Sequence, residues 1–131
     1  MKKVKVGISG CLGRMGKELV KQAKLLQGIE YAGGFDLKSK KNFKNDIFIK
    51  ANVVVDFSSP GALSSNLEMA VNNNTGLVIG TTGLKEKELK MLKKASRKIP
   101  ILFSSNMSLG VNVLFNLVQQ TASTLKDKDY D

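Results

Sequence analysis

Val4-Lys5-Val6-Gly7-Ile8-Ser9-Gly10-Cys11-Leu12-Gly13-Arg14-Met15-Gly16 decides how the rest of this 131-residue chain is read. A short β-branched run ends at a glycine, and two further glycines follow at three-residue spacing. Leu19, Val20, Ala23 and Leu26 then fall on one face of a helix. The order is strand, tight turn, helix N-terminus. The turn calls for residues without a Cβ, and a diphosphate can approach the backbone only where side chains are missing. The first helical turn offers unpaired N–H groups and the positive end of its dipole to an anion. The segment reads as a dinucleotide-binding βα unit. Its spacing, G-x-x-G-x-x-G, would also serve a turn that only packs a helix closely on a strand.

The next strand-like run, Ile29-Glu30-Tyr31-Ala32-Gly33-Gly34-Phe35-Asp36, ends in an acid. A carboxylate at the end of the second strand can accept hydrogen bonds from an adenosine ribose diol; an ordinary turn carboxylate would occupy the same place. Residues 37 to 50 are polar and lysine-rich, with Phe43, Ile47, Phe48 and Ile49 as anchors, and read as a loop or a short irregular helix. Val53-Val54-Val55-Asp56-Phe57 is a third strand, apolar enough for burial on both faces. Pro60 opens a helix at a permitted first-turn position, with Leu63, Leu67, Ala70 and Val71 facing in, and Asn72-Asn73-Asn74 ends it. Leu77-Val78-Ile79 is a fourth strand, closed by Gly80-Thr81-Thr82-Gly83. A helix from about Lys85 to Lys98 carries Leu89, Leu92 and Ala95 inward. Pro100-Ile101-Leu102-Phe103 is a fifth strand, a last helix runs from near Leu109 to Leu125, and a polar tail follows.

Strands alternating with helices require crossovers and a parallel sheet, so the fold expected is α/β, a Rossmann-like doubly wound sheet in a single domain, 1–131. Ligands of such sheets sit beyond the carboxyl ends of the strands. The distinctive polar segments all fall there: the glycine turn, Asp36, Ser58-Ser59, Gly80–Gly83 and Ser104-Ser105-Asn106-Met107-Ser108. They should converge on one face.

Composition bounds the partners. Hydrophobic residues make up 42% and charged residues 24%, as in a globular chain. No apolar run reaches membrane-spanning length, Lys5 and Arg14 interrupt any signal peptide, and a single cysteine fits a reducing compartment, so no membrane and a cytoplasmic setting are expected. Cys11 lies in the glycine turn, where a helix N-terminus can lower a thiol pKa; the alternatives are a redox role or a small spacer. The net charge of +10 does not point to nucleic acid. Many lysines (Lys85, Lys87, Lys90, Lys93, Lys94, Lys98) fall on polar helix faces, Arg14 and Arg97 are the only arginines, and basic and aromatic residues are not interleaved. A positive field does favour a polyanionic cofactor.

Four segments carry a family resemblance: Gly10-Cys11-Leu12-Gly13-Arg14-Met15-Gly16, Val55-Asp56-Phe57-Ser58-Ser59-Pro60, Val78-Ile79-Gly80-Thr81-Thr82-Gly83 and Ser105-Asn106-Met107-Ser108-Leu109-Gly110-Val111-Asn112. In order and spacing they resemble the 4-hydroxy-tetrahydrodipicolinate reductases (dihydrodipicolinate reductases) of diaminopimelate and lysine biosynthesis. The resemblance implies NADH or NADPH as cofactor. Gly10, Gly13, Arg14, Met15 and Gly16 would then hold the pyrophosphate and adenosine side. Asp36 would take the ribose and Lys38 a 2′-phosphate. Phe57 and Ser58 would flank the dinucleotide, with Gly80 and Thr82 near the nicotinamide carboxamide. Thr82 would also reach a substrate carboxylate. Ser104, Asn106 and Met107 would close the nicotinamide pocket. Met107 stands where the family usually has phenylalanine, a flexible thioether in place of a ring.

The family's catalytic signature, a His-His-x-x-Lys cluster followed by Ser-Gly-Thr, belongs to a second domain, and this chain has no histidine. The resemblance therefore implies a cofactor domain without catalytic residues of its own, taken from a full-length enzyme that is a homo-oligomer. Two other readings share the first βα unit: a homoserine or aspartate dehydrogenase-like domain, and a stand-alone nucleotide-sensing module. The Gly-Thr-Thr-Gly and Asn-Met-Ser-Leu-Gly-Val-Asn segments argue against the first.

Overall fold

The computed structural model describes residues 2–125, so the polar tail at 126–131 lies outside the described residues. Five strands, β1 (Val4–Ser9), β2 (Ile29–Phe35), β3 (Val53–Asp56), β4 (Gly76–Ile79) and β5 (Ile101–Phe103), form one sheet in the order β2-β1-β3-β4-β5. All four pairings are parallel. The chain leaves β1 toward β2 and then crosses back to place β3 on the other side of β1. The order therefore reverses between β1 and β3, the point at which such sheets open a crevice at their carboxyl ends.

Alternation along the strands divides the core. Val54, Leu77 and Ile79 point to one face and are buried beneath α2 (Lys41–Lys50), α3 (Leu63–Asn72) and α4 (Glu86–Ala95). Val6 and Ile8 point to the other, against Ala23, Leu19 and Val20 of α1 (Arg14–Leu25). That second layer is incomplete: Val53, Val55 and Val78 are half-buried and Leu102 is 62% exposed. The last helix, α5 (Leu109–Leu125), is apolar over much of its surface, yet none of its residues is buried.

Four sequence expectations are decided or changed. Of the two alternatives for residues 37–50, the short helix is the one formed, over 41–50 and regular; Ile47 and Phe48 anchor it under the sheet, Phe48 against Phe35 with ring centroids 5.5 Å apart. Phe43 and Ile49 point outward. Pro60 begins a 3-10 turn, Pro60–Ala62, that leads into α3. Finally, α4 is shorter at both ends than expected and leaves Leu89 exposed, and Leu26 has left the inner face of α1 because the helix has ended before it.

Candidate functional site

The three glycines of the first turn do three different things. Gly10 has φ +79°, in the left-handed region, and a Cβ there would stand 2.6 Å from the Phe57 carbonyl oxygen. Gly16 is buried against the Gly10 carbonyl so closely that any side chain would overlap it. Both are needed by the turn itself, which is tied to β2 by Gly10 N–H and Cys11 N–H donating to Phe35 O at 2.9 and 3.2 Å. Gly13 differs. It is exposed, caps α1 with ordinary extended backbone, and the single near neighbour of an added Cβ would be Gly10 O at 3.3 Å. Its missing side chain leaves open space in front of the helix. Among the described residues no side chain caps α1, and no acid lies in its first turn, so the leading N–H groups are left free with the helix dipole behind them.

Beside this turn lies a cleft of about 950 Å³ along the carboxyl ends of β1, β3 and β4. Arg14, Met15, Phe57, Ser58, Gly80, Thr82, Asn106 and Met107 of the expected site residues line it. Leu19, Val55, Val78, Thr81, Ser105 and Ser108 line it as well. These six were not among the expected site residues, although all but Leu19 sit within segments singled out in the sequence. Gly10, Gly13 and Gly16 form the turn beside the cleft rather than its lining. Asp36 and Lys38 lie outside it, past the end of β2, and Ser104 is also outside, its place in the wall being taken by Ser105.

Each wall has a local cause. Phe57 packs on Gly80, where a Cβ would overlap the ring. Thr81 is turned inward, its hydroxyl donating to Asp56 O at 3.3 Å, and this leaves its neighbour Thr82 exposed at the mouth. Ser104 Oγ donates to Asn106 O at 2.7 Å and closes the turn after β5. Asn106 Oδ1 accepts Ser108 N–H at 3.0 Å, which fixes the orientation of the amide. Its Nδ2 is buried and has no partner among the described residues. A buried amide donor without an acceptor costs about 1–3 kcal/mol.

Past the end of β2, both oxygens of Asp36 accept backbone N–H groups, Oδ2 from Leu12 at 3.1 Å and Oδ1 from Leu37 at 2.8 Å. Asp36 thus braces the glycine turn. Cys11 does not have the low pKa that a helix N-terminus would give. Burial and the nearby Asp36 carboxylate push its thiol up, and the same burial, with Cys11 beside it, raises Tyr31. Both side chains crowd over Gly34, where a Cβ would stand 2.6 Å from Tyr31 Oη and 2.7 Å from Cys11 Cβ. Of the two alternatives for Cys11, the packed spacer fits the geometry.

The described residues contain no group of three or more metal-ligating side chains and no helix long and apolar enough to cross a membrane. What the site offers is a run of backbone donors at a helix N-terminus, an aromatic wall, small residues and a few uncharged polar groups. That set suits a long anion carrying flat rings.

Comparison with known proteins agrees. A family model described as dihydrodipicolinate reductase, N-terminus, matches residues 4–107. The 4-hydroxy-tetrahydrodipicolinate reductase of Alkaliphilus oremlandii is 44% identical over 122 residues, 93% of this chain and 48% of that protein. The enzymes of Pelagibacter ubique and Rickettsia akari are 40% and 35% identical, each over 98% of this chain and 53% and 52% of their own lengths. The chain spans about half the length of the curated relatives it matches. Among solved structures, a dipicolinate-bound dihydrodipicolinate reductase from Paenisporosarcina sp. superposes with a TM-score of 0.71 at 19% identity, covering 92% of this chain and 54% of that one. A Plasmodium falciparum pyrroline carboxylate reductase with NADP bound superposes with a TM-score of 0.51 at 20% identity, covering 81% and 40%. Those two likenesses speak for the Rossmann-like fold alone. With the glycine turn, the cleft and the match over residues 4–107 together, the chain belongs to the dihydrodipicolinate reductase family and carries its N-terminal, nucleotide-binding domain.

Proposed function

We propose that residues 1–131 form an NAD(P)H-binding domain that presents the hydride donor in a reductase acting on 4-hydroxy-tetrahydrodipicolinate. The observation that carries this reading is the exposed, side-chain-free Gly13 in front of an uncapped helix N-terminus, opening onto the cleft. The N–H groups of Arg14, Met15 and Gly16 would hold the diphosphate. The Phe57 ring, resting on Gly80, and Ser58 would flank the dinucleotide, with Gly80 and Thr82 near the nicotinamide carboxamide. Asn106 Nδ2 would donate to the carboxamide oxygen, which gives that buried group its missing partner. Met107 and Ser105 would exclude water from the same end. NADH or NADPH, when bound, supplies the hydride. Thr82, exposed at the mouth, is placed to meet a carboxylate of the acceptor.

Asp36 and Lys38 support use of both cofactors: the acid suits the ribose hydroxyls of NADH, and Lys38, Lys40 and Lys41 offset its repulsion of a 2′-phosphate. The chain has no histidine, and Arg14 is the one ionisable side chain among the residues lining the cleft, so the proton that completes a reduction would come from outside this lining. Substrate positioning and protonation would fall to a second domain, in a cytoplasmic homo-oligomer. The test is amide chemical-shift mapping. Addition of NADH should shift Arg14, Met15, Gly16, Ser58, Thr82 and Asn106 and leave Asn52, Gly76 and Ile101, at the opposite end of the sheet, in place. Shifts centred on the latter three would refute the assignment.

A further inference from the structure

Behind the cleft lies a buried polar hub centred on Asp56 and Asn66, neither of which lines it. Asp56, at the end of β3, is 1% exposed, and among the described residues it has no ion-pair partner. Its Oδ1 accepts both the backbone N–H and the hydroxyl of Ser58, at 3.0 and 2.5 Å. Its Oδ2 accepts Asn66 Nδ2 at 2.9 Å, and the same nitrogen donates to Ser9 Oγ at 3.0 Å. The Asp56 carbonyl accepts Gly80 N–H at 3.0 Å and the Thr81 hydroxyl. Asn66 is itself 2% exposed, on α3. One amide therefore ties the ends of β1 and β3 to a helix, and through Asp56 the tie reaches Ser58 and the start of the β4 loop. Phe57, the residue between Asp56 and Ser58, has both flanks fixed by this hub.

We infer that Asn66 is a positioning residue: through Asp56 it sets the Phe57–Ser58 turn that forms the aromatic wall of the cleft. This rests on the dinucleotide reading above. It goes beyond it in assigning a role to a side chain that touches no ligand. The physical reason is the stiffness of a fully satisfied buried network. A buried carboxylate left short of a donor must be re-solvated or turned, and here turning it moves Ser58 and with it Phe57. The diphosphate turn has its own ties to Phe35 and depends on the hub less.

The experiment compares two probes on the whole chain, NADH and ADP-ribose, the second of which lacks the nicotinamide. Asn66→Leu keeps the volume and removes the amide. It should weaken NADH about tenfold while ADP-ribose stays within about twofold of wild type. Equal losses for both probes would mean general structural damage, and no loss for either would mean no role; both overturn the inference. Wild-type chain that binds neither probe would instead overturn the dinucleotide reading itself. Asn66→Asp provides a second readout if the leucine variant does not fold. The groups packed on Asp56 from β1, α3, β4 and its own turn (Ser9, Asn66, Thr81, Ser58) do not titrate, so the new carboxylate would face Asp56 alone. Two carboxylates in contact repel when both are charged, and sharing a proton restores a hydrogen bond. NADH affinity of this variant should therefore be low at about pH 8 and recover toward the wild-type value at about pH 5.5. Failure to recover would overturn the inference.

Discussion

The ring of Phe57 rests on Gly80, and a Cβ at position 80 would overlap its Cζ, Cε1 and Cε2 atoms. The wall of the cleft is thus made by one residue's ring and another's missing side chain. The clash involves the far end of a side chain that can swing away, so Gly80→Ala should fold. The displaced ring should then intrude on the cleft. NADH affinity is expected to fall about tenfold, about 1.4 kcal/mol, with little change in melting temperature. Unchanged affinity, measured by titration, would separate Phe57 from the site.

Gly10 and Gly13 should fail in different ways. Gly10→Ala puts a side chain on a left-handed residue with backbone 2.6 Å away, and a cost of about 1–3 kcal/mol in folding stability is expected. Chemical denaturation measures it. A stability within error of wild type would show that the turn can relax.

Cofactor choice should respond to Asp36. Its charge favours ribose hydroxyls over a 2′-phosphate, and nearby lysines offset the difference, so NADH and NADPH are expected to bind within about 1–2 kcal/mol of each other. Asp36→Ala should lose NADH affinity more than NADPH affinity. Because Asp36 also accepts Leu12 N–H, some loss for both is expected. The reverse order, seen by isothermal titration, would remove Asp36 from ribose recognition.

Cys11 should be a slow thiol. Burial and Asp36 both raise its pKa, so less thiolate is present at neutral pH than in a free peptide. Alkylation by iodoacetamide is expected to be slower than for the unfolded chain at the same pH, and to accelerate only well into the alkaline range. Faster reaction in the folded chain would contradict this.

Most of what positions the site was legible because it is local. The glycine spacing and the strand-end segments each lie within a few consecutive residues, and a parallel sheet gathers strand ends on one side whatever the loops do. Asn66 was not legible as part of the support. It sits with Leu63, Leu67 and Ala70 on the inward stripe of α3, so a polar residue at that spacing was the signal. Its partners, Ser9 and Asp56, are distant in sequence and meet it only in the fold. Residues 41–50 stayed undecided between loop and short helix for the opposite reason: their apolar residues are split between the core and the surface, and the stripe is too weak to mark a helix.

The central claim, that the turn at Gly10–Gly16 is the seat of a nicotinamide dinucleotide, is tested most directly by fluorescence titration of the 131-residue chain with NADH, beside Gly13→Val. Gly13 is exposed with open space before it, so the valine should leave the circular dichroism unchanged while filling the path of the diphosphate. Saturable binding by the wild type, lost in the variant with its fold intact, is the expected result. Equal binding by both chains, or no saturable binding by the wild type, would contradict it.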